Sequence, residues 1–400
     1  MTRAAPLLAA ALLSLPTAGC PRTPPALDAT SGLGGAVQAH AGARSALEDA
    51  AADLDPGVRA RALAVLVQTS AEAGGGAWAR RGTYDPSPWV QRAVLQALAA
   101  RAHDPVAAEH LHETVGRSGL SPYVRCGAAL RLRDRPTDGL KATVLDIESS
   151  QTAGWQAAPC TLAAATLGDP DAAGRLDAIL REGELPLDIG FIDDIGRSGL
   201  TSLAPALVEA ADLVEEPLRP AIGAALLLLG APEGESLLRE GLSDPSPEAP
   251  LEVLDYLAEI DAPTATAMLK RASASATGDA RTYAQLILMG RGASDSRVAE
   301  QAAVDDDREM RALALRHLGD AVRTQRATEP DRKLEKRALE MMRVGMTDPD
   351  DPVREAAAAG LGALGGRGAQ ADLEQLLGDD NARVRVEAAR ALLTGPAPRS

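Results

Sequence analysis

The sequence predicts an all-α fold, an α-solenoid of about eleven stacked helix pairs, and three observations carry that expectation. An apolar triplet at i, i+4 and i+8 recurs eleven times, with a Leu or Ile always closing it. The anchors of successive triplets lie about 31 residues apart. Asp-Pro or Ser-Pro precedes many triplets, and Gly follows many of them. The first pattern draws one face of a helix. The second is the period of a solenoid, in which each unit buries its stripe against its neighbours and not in one central core.

Each unit reads as helix A, turn, helix B, turn, with the triplet on helix B. In chain order the triplets are Val58/Ala62/Leu66, Val90/Val94/Leu98, Val124/Ala128/Leu132, Pro159/Ala163/Leu167 and Leu187/Phe191/Ile195. They continue as Leu218/Ile222/Leu226, Ala249/Val253/Leu257, Ala280/Ala284/Leu288, Met310/Ala314/Leu318, Val353/Ala357/Leu361 and Val384/Ala388/Leu392. Asp55-Pro56, Asp85-Pro86, Ser121-Pro122, Asp244-Pro245 and Asp351-Pro352 are expected to cap B helices, since an oxygen accepts the free N–H groups and Pro lacks the one it would waste. Gly168, Gly196, Gly230, Gly290, Gly319 and Gly362 are expected to end them in the left-handed conformation. Helix A is shorter and Leu-based, as in Ala172–Leu180, Leu200–Leu213, Ser236–Leu242, Thr264–Ala272 and Ala371–Leu377. Repeats four to seven have degenerate anchors. One step, Met310 to Val353, is 43 residues, and the insertion over about 322–350 mixes Arg323, Arg326, Arg332, Lys336 and Arg343 with Glu335 and Glu340. That mixture predicts a lengthened, exposed helix with i,i+4 ion pairs, or a docking patch for an acidic partner.

Arg commonly follows the anchor (Arg59, Arg125, Arg219, Arg311, Arg354, Arg385), with Asp a few residues before it. The phrase Asp-Pro-x-Val-Arg…Ala…Leu resembles the HEAT-like repeats named after phycobilisome lyases, over residues 42–394. The resemblance implies an all-helical solenoid whose Asp and Arg side chains form a ladder between neighbouring turns. It implies little about function, because solenoids of one architecture bind many things.

The N-terminus reads as an export signal. Arg3 precedes an apolar stretch, Ala4 to Leu15, too short to span a bilayer but right for a secretory segment. Thr17-Ala18-Gly19-Cys20 resembles the lipobox of bacterial lipoproteins, which implies a signal peptide over 1–19 and a lipid on Cys20. Pro21 is not the Asp of inner-membrane retention, so the expected place is the outer membrane facing the periplasm. Residues 20–41, rich in Pro, Gly and Ala, are expected to form a flexible tether, and 395–400 a disordered tail.

Net charge is −15. So acidic a chain repels phosphate backbones, and with only eight aromatic residues it offers few stacking platforms, so nucleic acid is not an expected partner. Cys126 and Cys160 remain as an even pair in an exported chain and follow the anchors of adjacent repeats, which makes them candidates for a disulfide. Helix axes 8–10 Å apart against a Cα limit near 7 Å leave that geometry borderline.

Candidate chemistry is thin. Glu109-His110-Leu111-His112-Glu113 places two carboxylates and an imidazole on one helix face. It is locally similar to the di-iron HEAT-like hydroxylases, but their motif repeats four His-Glu dipeptides, and here there is only His112-Glu113. No metal site, cofactor or catalytic residue is assigned. Asp193-Asp194 and Asp379-Asp380 are read as caps at helix ends or turns. Five of the eight aromatic residues fall within 78–155: Trp78, Tyr84, Trp89, Tyr123 and Trp155. Trp89 and Tyr123 share a slot, one before the anchor, that holds Glu, Asp or Arg in four other repeats and Gly, Ala or Pro in the remaining five. They are therefore expected side by side on the surface, as anchors for a protein partner. The expected function is an exported, lipid-anchored scaffold that binds a protein partner. A bilin-lyase-like or metal-dependent HEAT enzyme or cofactor chaperone, and a purely structural spacer, are the alternatives.

Overall fold

The computed structural model describes residues 33–101, 103–152, 154–181, 188–214, 218–328 and 331–395. The signal peptide, Cys20, Leu187 and residues 396–400 lie outside them. The described residues form 22 α-helices and two short 3-10 turns, with no strand, and the α-helices group as eleven consecutive A/B pairs. Helix α1 (Leu33–Ala50) pairs with α2 (Pro56–Thr69), and α3 (Gly76–Thr83) with α4 (Pro88–Ala100). Then follow α5 (Pro105–Gly116) with α6 (Pro122–Arg131), α7 (Leu140–Ser149) with α8 (Gly154–Thr166), and α9 (Ala172–Arg181) with α10 (Ile189–Ser198). Helices α11 (Ala204–Ala211) and α12 (Arg219–Leu228), then α13 (Pro232–Leu242) and α14 (Ala249–Glu259), complete repeats six and seven. The remaining pairs are α15 (Pro263–Ser275) with α16 (Gly278–Gly290), α17 (Arg297–Ala302) with α18 (Arg308–Thr328), α19 (Arg332–Gly345) with α20 (Asp351–Leu364), and α21 (Gly366–Leu376) with α22 (Ala382–Thr394). Because α1 begins at Leu33, the last part of the tether expected over 20–41 is helical instead.

Every middle residue of the eleven triplets is buried, from Ala62 through Phe191 to Ala388. Burying such a stripe contributes ~1.5–3 kcal/mol for each large aliphatic side chain, so the helix interfaces carry the stability. The outer positions are less uniform. Pro159, Leu218, Ala249 and Ala280 are only half-buried, as are Leu167 and Leu392.

Two expectations about helix ends need correction. Asp55 and Ser121 do cap, with Asp55 Oδ1 accepting from Gly57 N at 2.7 Å and Ser121 Oγ from Val124 N at 3.4 Å. At Asp85, Asp244 and Asp351, however, the capping position falls to Ser87, Glu248 and Asp350, and Asp351 is already the first helical residue. The glycines divide as well. Gly168 and Gly230 are left-handed, with φ of 81° and 77°. Gly196, Gly290, Gly319 and Gly362 lie inside helices α10, α16, α18 and α20. A Cβ on Gly319 would stand 2.8 Å from the Cα of Gly360, and one on Gly362 would stand 2.7 Å from the Cβ of Ala391. These glycines let adjacent B helices touch backbone to backbone.

The Arg after the anchor does what the ladder requires. Arg59, Arg311, Arg354 and Arg385 each donate Nη1 to two carbonyls, five and six residues back, in the turn before their own helix. Arg311 also reaches forward to Asp348 at 2.9 and 3.0 Å, and Arg354 to Asp379 at 2.8 and 3.1 Å. Asp379 accepts from Asn381 N at 2.8 Å too, so it serves both turn and ladder.

The chain divides into two compact units. Unit 1 comprises described residues 70–268 and stacks its B helices in chain order, from α4 to α14. Unit 2 comprises 33–69 with 269–395 and stacks α16, α18, α20 and α22. Here the stacking departs from chain order, because α1 and α2 pack on α22. The ladder continues across this junction: Arg383 Nη2 binds Asp55 Oδ2 at 2.8 Å, and Arg61 pairs with Glu355. The insertion lengthens α18 to 21 residues.

Candidate partner-binding site

Unit 1 begins three successive B helices with an aromatic residue at the second helical position. Trp89 follows Pro88 on α4, Tyr123 follows Pro122 on α6, and Trp155 follows Gly154 on α8. The sequence slot found the first two and missed the third, because α8 starts one turn earlier relative to Pro159 than its neighbours do relative to their anchors. Trp89 and Trp155 are 46 % and 42 % exposed. Tyr123 is not the surface ring expected from its slot but is half-buried.

Tyr123 turns inward because α4, α6 and α10 converge behind it. Arg92, only 5 % exposed, donates from Nη1 to Asp194 at 2.7 Å and from Nη2 to Asp193 and Asp194, both at 3.2 Å. Arg131 donates to Asp194 at 2.9 Å. Burial opposes the charge on Asp194, but the Arg131 and Arg92 guanidinium groups outweigh it and hold the carboxyl below its ordinary range. Burial also opposes the charge on Arg92, and there the Asp194 and Asp193 carboxylates prevail. Burial and the nearby Asp188 push the Tyr123 phenol up, so it stays protonated. Asp193 and Asp194 are thus mid-helix partners of buried arginines and not helix-end caps. Arg92 Nε has no acceptor among the described residues.

In front of this cluster lies a groove of about 350 Å³ between the starts of α6, α8 and α10. Tyr123, Trp155, Pro159 and Phe191 give it an apolar floor, and Ser121, Gln151 and Gln156 supply polar edges. Cys126 and Cys160 form a disulfide with Cα atoms 4.8 Å apart, which ties α6 to α8 directly beneath the groove. Asp188 caps α10, accepting from Phe191 N at 2.8 Å, and so fixes the third wall.

The other two aromatics lie elsewhere in unit 1. Tyr84, 54 % exposed, stacks under Arg117 at 5.5 Å and accepts from its Nη1 at 2.8 Å. Trp78 is half-buried with Arg81 over its ring at 5.9 Å. The structure therefore joins Tyr123 and Trp155 in one groove and leaves Trp78, Tyr84 and Trp89 outside its lining. In the His-Glu segment, His112 Nδ1 lies 3.3 Å from Thr137 Oγ1 and Glu113 accepts from Arg117 at 2.9 Å. Among the described residues no three His, Cys, Asp or Glu side chains come close enough to hold a metal ion.

Stacked A/B pairs joined by an Asp/Arg ladder define an all-α solenoid of HEAT-like repeats. The family model of HEAT repeats matches residues 296–393, which are repeats nine to eleven. No curated protein matches the sequence. Among solved structures, human deoxyhypusine hydroxylase in complex with glycerol is similar at 18% identity, covering 83% of this chain and 99% of that one, with a TM-score of 0.29. A likeness that loose carries no argument about activity.

Proposed function

We propose that this chain is a partner-binding scaffold of the bacterial envelope, held there by a lipid on Cys20. In this reading its repeats are of the phycobilisome-lyase type and the chain carries no reaction of its own. The groove of unit 1 takes an extended segment of a partner protein bearing proline or aliphatic side chains. The observation that carries the reading is the groove itself, in which Tyr123, Trp155 and Phe191 stand on helices joined by the Cys126–Cys160 disulfide and by the ion pairs of Asp194 with Arg92 and Arg131. Rigid aromatic floors with amide edges suit such a peptide, because rings bury large area at little entropic cost while amides bond its backbone. Export and lipidation rest on the Ala4–Leu15 stretch and the Ala18-Gly19-Cys20 motif.

The test is cross-linking in the native envelope. Trp155→Ala with Gln156→Ala is expected to weaken capture of the partner at least tenfold while the melting temperature changes by less than about 2 °C, the effect of a surface substitution. Unchanged capture, or cross-links that map only to Arg332–Arg343, would remove the groove from this role. Cys20→Ala is expected to abolish fatty-acid labelling and membrane retention, and a variant that keeps both disproves the anchor.

A further inference from the structure

We propose that unit 2 carries a second binding site, for an amphipathic organic anion with a carboxylate or phosphate head and an apolar body. The insertion extends α18 past the ends of its neighbours, and the chain returns through α19, so a cavity of about 900 Å³ opens between these helices and the C-terminal ends of α20 and α22. That volume suits a small molecule. Its walls differ in character. The α18 and α19 side holds Arg323, Arg326, Arg332 and Lys336 against one carboxylate, Glu335. The α20 and α22 side is mostly small and apolar, with Ala359, Ala363 and Ala391 beside Gly362, Gly365 and Gly366, although Arg390 and Thr394 of α22 also line it. So dense a set of cations stands out in a chain whose net charge is −15.

The cations have two roles. Arg326 belongs to the wall: it donates to the carbonyls of Ala363 and Leu364 at the end of α20 and pairs with Glu335. Arg390 is likewise committed, to Glu387. Arg323, Arg332 and Lys336 are exposed. Arg323 pairs with Asp320, and Lys336 stands 3.9 Å from Glu340. Exposed pairs of this kind are worth little in water, so both side chains are free to turn to a ligand that also buries apolar surface. A free phosphate would meet the cations and leave the apolar wall unused. An uncharged hydrocarbon would leave the cations unused. Only an anion with an apolar body uses both walls.

The test measures binding of laurate, monododecyl phosphate and dodecyltrimethylammonium to the full chain, below their micellar concentrations, by displacement of anilinonaphthalene sulfonate. The two anions are expected to bind saturably and the cation not to bind. Arg332→Glu with Lys336→Glu is expected to weaken both anions at least tenfold, with helicity retained. Ala327→Trp, which fills the mouth from the exposed end of α18, is expected to do the same without reversing any charge. The cavity is not such a site if the three surfactants bind alike, if neither variant changes anion binding, or if phosphatidylglycerol vesicles bind while the soluble anions do not.

Discussion

Asp194 shows what a single carboxylate holds together. It neutralises Arg92 and Arg131, which stand on two other helices, and with them it fixes the floor beneath Tyr123. Asp194→Asn leaves two guanidinium groups short of charge in a poorly solvated place. The expected loss is about 3–5 kcal/mol, the usual cost of breaking a buried pair from one side. Its pH dependence has a definite sign. The folded pKa is depressed, so the stabilisation is complete above the unfolded value of about 3.9 and is lost as pH falls through the folded one. Urea midpoints of wild type and Asp194→Asn should therefore differ widely at pH 7 and converge below about pH 4. A constant difference would mean that the pair is not what the variant removes. The sequence did not reveal this cluster, because Arg92 and Asp194 lie 102 residues apart and nothing local distinguishes Asp194 from Asp193. Its residue types fit equally well as caps, and only the curvature of unit 1 brings the partners together. The aromatic concentration was legible from composition alone, whereas the inward turn of Tyr123 was not.

Helices were the most legible scale, since period and triplet depend only on the helical repeat and on what must be buried. All eleven middle positions are buried because each sits at the centre of a B-helix interface. The glycines after the closing Leu or Ile were legible as a pattern but misread as to cause. Read locally, a Gly after an apolar stripe ends a helix, whereas Gly319 lies mid-helix where α18 meets α20. The two roles predict different results. At Gly168 nothing lies within 4 Å of an added Cβ, so Gly168→Ala is expected to cost only the left-handed strain, about 1–2 kcal/mol, and no more when the side chain is enlarged. At Gly319 the obstacle is the backbone of Gly360, so Ala already forces the helices apart and Leu more so, by about 1–3 kcal/mol or above. Denaturation of Ala and Leu variants at both sites, Leu being unbranched at Cβ, separates the cases: cost should rise with side-chain size at Gly319 and stay level at Gly168. Equal slopes would return Gly319 to the helix-end role.

At the scale of the whole molecule, the sequence gives eleven equivalent repeats and no reason to expect the first to stack on anything but the second. Periodicity identifies what can stack on what, since every B helix presents the same stripe, but like surfaces do not specify partners. Within unit 2 the first pair packs on the last: α1 and α2 pack on α22, Asp55 accepts from Arg383, and Arg61 meets Glu355. In a solenoid the free energy is shared between nearest neighbours, so damage to one repeat spreads first to the repeats it touches. Leu47, fully buried on α1, offers the place to cause that damage. Leu47→Asp buries a charge with no partner provided and should melt α1 locally, at a cost of several kcal/mol. Amide hydrogen exchange then reads where the loss travels. Protection is expected to fall in α22 and next in α20, more than 300 residues along the chain, while α6 and α8, bound by the Cys126–Cys160 disulfide, hold theirs. The Asp55–Arg383 pair alone is too exposed to carry this coupling, so Arg383→Ala should move the same amides by less than about 1 kcal/mol. If Leu47→Asp instead leaves the protection of α22 and α20 unchanged, the first pair does not pack on the last in solution.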